Sequence, residues 1–172
     1  MSYKSNLKNI KAFVFDVDGV FTDGSVYLMP DGSMCRTMNV LDGYAVVKAR
    51  KHNYPICVIT GGDDPMVRNR ISYLGITDYY AKIGDKLEKF EEFKQKYNLK
   101  NEEILTMGDD LPDMGMMRIS GISACPENSV AEIKLMSDYI SPIQGGKGAV
   151  RDVIEQVMKV QGKWLEDDTK ST

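Results

Sequence analysis

Asp16 and Asp18 stand two residues apart after a short apolar run, Ala12-Phe13-Val14-Phe15, and Gly19 follows them. A continuous apolar run of this length fits a strand buried on both faces. The carboxyl end of such a strand is where open α/β sheets bind ligands. Taken alone, Asp16-Val17-Asp18-Gly19 also reads as a turn or a helix cap. Two further runs change the reading. Ile56-Cys57-Val58-Ile59 ends in Thr60-Gly61-Gly62, and Ile104-Leu105-Thr106-Met107 ends in Gly108-Asp109-Asp110-Leu111-Pro112-Asp113. In a parallel sheet both acidic groups and the Thr60 hydroxyl converge on one edge. Carboxylates gathered this closely repel and raise one another's pKa unless a cation compensates. An all-oxygen donor set suits Mg²⁺. Lys86 is a candidate cationic partner, although it also reads as a solvated helix lysine.

Such residues suit phosphoryl transfer. A carboxylate can attack phosphorus and form an aspartyl phosphate, and Asp16, the deeper of the pair, is the candidate nucleophile. Asp18 is the candidate acid/base, protonating the leaving oxygen and then activating water. Mg²⁺, Lys86 and Thr60 would neutralise charge on the equatorial oxygens. Asp110 and Asp113 open the next helix and read as caps or as supports of the site.

The elements that must hold these residues alternate between strand and helix. Ile122-Ser123-Ala124 is a weaker fourth strand. Helical spacing recurs from Gly43 to His52, from Lys86 to Tyr97 through Leu87, Phe90, Phe93 and Tyr97, and from Val150 to Met158. Asp64 is placed to cap a helix that begins at Pro65, and Ser129-x-x-Glu132 reads as a capping box. Alternation of this kind predicts an α/β fold, Rossmann-like and three-layered, with a mostly parallel sheet. One insertion interrupts it: Ser25–Met29 and Met34–Met38 flank Pro30-Asp31-Gly32-Ser33 and predict a β-hairpin. A single domain over 1–164 is expected, with the hairpin at about 25–38, no cap domain, and a polar, frayed tail over 165–172.

Composition narrows the class. The chain has 172 residues, room for one domain with an ordinary core. Its net charge of −3 gives no support to nucleic-acid binding. No run approaches the ~18 apolar residues of a membrane span, and the N-terminus lacks a secretory h-region. The single histidine excludes zinc sites that need two or three. Cys35, Cys57 and Cys125 are scattered and odd in number, as expected of packing residues in a reducing, cytoplasmic protein.

Asp16-Val17-Asp18-Gly19-Val20, Thr60-Gly61, Lys86 and Gly108-Asp109-Asp110 resemble, in order, the four motifs of the haloacid dehalogenase superfamily of phosphatases. The resemblance implies that Asp16 is the nucleophile and Asp18 the acid/base. It implies that Thr60 and Lys86 hold the phosphoryl group. Asp16, the Asp18 carbonyl and Asp109 would bind Mg²⁺. The short hairpin and absent cap resemble the subfamily of 3-deoxy-D-manno-octulosonate (KDO) 8-phosphate phosphatases. That implies a phosphorylated sugar acid as substrate and a homotetramer whose hairpins associate. Asn39, Asp42 and Gly43 fall in a stretch similar to the subfamily's substrate loop, Arg70 at a basic position near substrate, and Lys147 in its glycine-rich C-terminal segment. Asp18, Gly61 and Lys86 complete the expected substrate contacts. Gly62 departs from the charged residue that many relatives carry.

Other classes fit parts of this pattern. A phospho-accepting receiver also gathers carboxylates, a hydroxyl and a lysine at a sheet edge, but with its lysine last, whereas Lys86 precedes the final acidic cluster here. A non-catalytic assembly domain would not need every catalytic position filled. Within phosphatases, the alternative substrate is a nine-carbon sialic-type acid 9-phosphate.

Overall fold

The computed structural model describes residues 3–165. β1 (Ala12–Phe15) is buried along its whole length because helices cover both of its faces. Phe13 and Phe15 face α1 (Val40–Lys51), through Ala45, Val46 and Ala49, and α6 (Ala149–Val160), through Val150, Val153, Ile154 and Val157. Ala12 and Val14 face the other way, onto Phe90 and Phe93 of α3 (Lys86–Lys96) and Met116 of α4 (Met114–Ile119). Neither face sees water, so the run carries no polar alternation.

Five more strands complete one parallel sheet: β4 (Ile56–Ile59), β5 (Asp78–Tyr80), β6 (Ile104–Met107), β7 (Ile122–Cys125) and β8 (Tyr139–Ile140), in the order β5-β4-β1-β6-β7-β8. β1 pairs with β4 on one side and β6 on the other. The strand order therefore reverses at β1, and the crevice beyond its carboxyl end is where this architecture binds ligands. α2 (Pro65–Tyr73) joins the α1–α6 face through Val67 and Ile71, and α5 (Ala131–Met136) packs through Ile133 near Cys125. β2 (Tyr27–Leu28) and β3 (Met34–Cys35) form a separate antiparallel hairpin, and no cap domain is present among the described residues. The expected three-layer, mostly parallel fold is what the chain adopts.

Several local expectations change. The hairpin pairs only two residues per strand, shorter than 25–29 with 34–38, because an isolated ribbon has nothing to pack against. α1 begins three residues before Gly43, where the Asn39 side chain accepts from the Leu41 N–H and caps it. β5 and β8 are short strands without an apolar run. Ser129 forms no capping box: α5 begins at Ala131, Val130 occupies the cap position, and the buried Ser129 hydroxyl has no partner. Cys57 and Cys125 are buried as expected, whereas Cys35 is exposed on the hairpin. Of the polar tail expected over 165–172, residues 166–172 lie outside the described residues.

Candidate active site

The chain leaves β1 through a tight loop. Val17 O accepts from the Val20, Phe21 and Thr22 N–H groups, and Gly19 takes φ +83°. A Cβ at Gly19 would lie 2.0 Å from an Asp109 carboxylate oxygen, so only glycine lets the β1 and β6 loops approach this closely. Gly145, before α6, lies directly against the same loop, where a Cβ would meet Gly19 O at 1.9 Å. Gly146 N–H donates to Val20 O. The glycine-rich segment thus buttresses the loop that presents Asp16 and Asp18.

Asp16, Asp18, Thr60, Gly61, Gly62, Lys86, Asp109, Asp110 and Asp113 line one open cleft of about 540 Å³ at the carboxyl edge of the sheet. α3 begins at Lys86, with Asp85 as its N-cap. The Lys86 ammonium is buried and contacts Asp16 Oδ1 and Asp113 Oδ1, each at 2.7 Å. It is therefore no solvated helix lysine. Asp113 Oδ2 accepts from the Asp109 N–H at 2.9 Å and the Asp110 N–H at 3.3 Å. Asp113 thus ties the β6 loop to Lys86, and Asp110 caps the following turn by accepting from the Leu111 N–H.

Charge in this group is unbalanced. Asp16, Asp109 and Asp113 each bring a carboxylate oxygen within 4.8 Å of the others. One ammonium among three carboxylates leaves two negative charges over, which a divalent cation would match. Burial raises the Asp16 carboxyl well above the ordinary range and Asp113 adds to the rise, with Lys86 opposing it. Asp109 is pushed up to about 8, by burial first and then by Asp16, Asp113 and Asp110. For Lys86, burial works to lower the ammonium's pKa, but the two carboxylates together outweigh it and the net shift is upward. A hard cation fits this all-oxygen donor set. Asp16 and Asp109 could supply it, while both oxygens of Asp113 already accept hydrogen bonds. Asp18's side chain lies outside the carboxylate group: its Oδ1 accepts from Arg36 Nε at 2.7 Å.

The remaining expected substrate residues, Asn39, Asp42, Gly43, Arg70 and Lys147, do not line the cleft in this chain. Asp42 is buried and accepts from the Arg151 N–H at 2.8 Å, capping the start of α6. Burial pushes its carboxyl up to about 6, against hydrogen bonds from the α6 backbone. Asn39 caps α1 and reaches Gly146 O at 3.4 Å. Gly43 makes room for the Arg70 guanidinium, which would lie 2.6 Å from a Cβ there. Arg70 lines a neighbouring hollow with Arg36, Met38 and Met66. Lys147 is more than half exposed and lies 3.8 Å from Asp23. Arg36 was not legible as a site residue, because only the folded hairpin carries it 18 positions back to Asp18.

Residues 63–154 match the family model of the haloacid dehalogenase-like hydrolases. The 3-deoxy-D-manno-octulosonate 8-phosphate phosphatase of Escherichia coli K12 is 34% identical over 156 residues, which cover 91% of this chain and 83% of that protein. The crystal structure of the phosphatase of the same name from Yersinia pestis superposes with a TM-score of 0.93 at 30% identity, covering 95% of this chain and 89% of that one. Its counterpart from Moraxella catarrhalis, in complex with magnesium, phosphate and KDO, gives a TM-score of 0.93 at 29% identity, covering 99% and 98%. The chain belongs to the haloacid dehalogenase-like hydrolases, in the branch that contains the 3-deoxy-D-manno-octulosonate 8-phosphate phosphatases.

Proposed function

We propose that the protein is a Mg²⁺-dependent phosphatase that hydrolyses KDO 8-phosphate to KDO and phosphate, as a step in making lipopolysaccharide precursors. One observation carries this reading: Lys86, buried between Asp16 and Asp113, holds the β1 carboxylate at the floor of a cleft that also contains Thr60 and Asp109. Asp16 attacks phosphorus, the bond from phosphorus to the ester oxygen breaks, and Asp18 gives that oxygen a proton. Asp18 then takes a proton from water as the water oxygen attacks phosphorus. The bond between Asp16 and phosphorus breaks and phosphate leaves. Lys86 and Thr60 hold the phosphoryl oxygens and offset their charge. Asp16 and Asp109, with the Asp18 carbonyl, would hold Mg²⁺, which adds further charge stabilisation when bound.

Substrate choice is tested by comparing kcat/KM for KDO 8-phosphate and a nine-carbon sialic-type acid 9-phosphate. The eight-carbon ester should be strongly preferred, and the reverse preference would overturn the assignment.

Metal binding has a thermal signature. Asp16 and Asp109 have folded pKa values above the unfolded 3.8. Over about pH 4 to 8 the folded state therefore binds more protons, and the metal-free protein loses stability as pH rises. Mg²⁺ competes with those protons. At saturation it should stabilise the fold by about 2–3 kcal/mol near pH 8 and by much less near pH 5. Melting curves with Mg²⁺ or EDTA at the two pH values check this, and an equal shift at both would count against the carboxylate site.

No helix among the described residues is long and apolar enough to cross a membrane. Unpaired, buried Cys57 and Cys125 suit the reducing cytoplasm in which we place the enzyme. For assembly we propose a homotetramer. Tyr27 and Leu28 are 60% and 79% exposed on a two-stranded ribbon that buries neither, and association of hairpins would cover them. Replacing residues 26–37 by a short glycine bridge should give a smaller species by light scattering, with a raised KM. An unchanged mass would contradict a hairpin-built assembly.

A further inference from the structure

Arg36 belongs to none of the motifs that mark the site, yet its side chain is only 11% exposed although the adjoining hairpin faces solvent. Its Nε donates to Asp18 Oδ1 at 2.7 Å and its Nη2 reaches Asp18 Oδ2 at 3.4 Å. Its Nη1 donates to Asp64 Oδ2 at 2.9 Å. Asp64 is itself fixed, since its Oδ1 accepts from the Met66 and Val67 N–H groups and caps α2 just before Pro65. The guanidinium therefore hangs between a rigid helix cap and the Asp18 carboxylate. A planar donor fork sets the angle of a carboxylate as well as its distance, and arginine stays charged at any working pH.

Resting on the phosphatase reading, we infer that Arg36 is the positioning residue for Asp18, carried by the hairpin to aim that carboxylate at the leaving-group oxygen. Oδ1 takes the short bond and Oδ2 is the less committed oxygen, available to carry the proton. General acid catalysis depends on such aim, because the acid must lie within hydrogen-bond reach of the oxygen it protonates. The hairpin then does more than present apolar surface: its placement sets the geometry of the proton donor.

The test uses two monoesters that differ in their need for a proton. p-Nitrophenyl phosphate releases an anion that is stable near neutral pH, whereas KDO 8-phosphate releases an alkoxide. Arg36→Ala should lower kcat/KM for KDO 8-phosphate by about 100-fold, and for p-nitrophenyl phosphate only severalfold. Retained p-nitrophenyl phosphate turnover also shows that the variant is folded. Arg36→Lys keeps the charge without the fork and should recover only part of the loss. Equal losses on the two esters, or no loss on either, would overturn the inference. Wild-type protein inactive on both would instead overturn the phosphatase reading and the inference with it.

Discussion

Asp16→Asn is expected to lower kcat by about 10⁴-fold or more while leaving the fold intact, because it removes the attacking oxygen's charge without changing side-chain shape. The effect should exceed that of any change outside the cleft. Lys86 holds the Asp16 and Asp113 carboxylates at 2.7 Å each, and of the two only Asp16 stands at the carboxyl end of β1. Asp18 lies two residues further on, against Arg36. The neutral amide also removes one of three crowded carboxylates, so Asp16→Asn should melt no lower than the native protein in EDTA, and higher near pH 8 than near pH 5 relative to it. Steady-state kinetics with melting curves check both. A variant that kept near-native kcat would rule out Asp16 as nucleophile.

Lys86→Met should damage activity and stability together. The ammonium is buried and bridges Asp16 and Asp113. Removing it strands two buried carboxylates, and breaking a buried pair in this way costs about 3 kcal/mol or more. For a chain of this length that corresponds to a fall in Tm of about 10 °C. Because protonation relieves the stranded carboxylates, the loss should be larger near pH 8 than near pH 5, and Mg²⁺ should restore part of it. Turnover should fall at least about 10³-fold, as charge on the phosphoryl oxygens loses its cation. A variant as stable and active as the native protein at pH 8 would show that Lys86 is an ordinary helix lysine.

How much of this was legible beforehand follows from the physics of each residue. β1, β4 and β6 were readable because strands buried on both faces must be continuously apolar, and each ends in its own polar signature. Lys86 and the acidic clusters could be read from residue type and order alone. β5 and β8 were not readable: Asp78-Tyr79-Tyr80 and Tyr139-Ile140 are stabilised by their neighbours in the sheet. Asp42 stood out only through the resemblance of its stretch to a substrate loop; nothing in its local sequence reveals that α6 begins beside it, because its partner, the Arg151 N–H, is 109 positions away. Arg36 was hidden for the same reason, since its partners come from the β1 loop and the α2 cap. Local patterns report strands, caps and motif loops, whereas contacts made only by the closed fold leave no local trace.

In the proposed mechanism Asp16 carries the phosphoryl group between substrate and water. Mixing enzyme, Mg²⁺ and KDO 8-phosphate, quenching in acid during turnover and reducing with borohydride converts an acyl phosphate to an alcohol. Peptide mass spectrometry then locates the resulting homoserine. Homoserine is expected at position 16 and at no other aspartate, and is expected to be absent when Mg²⁺ or substrate is omitted. Phosphate release without any homoserine, or homoserine at Asp18 or Asp109, would contradict it.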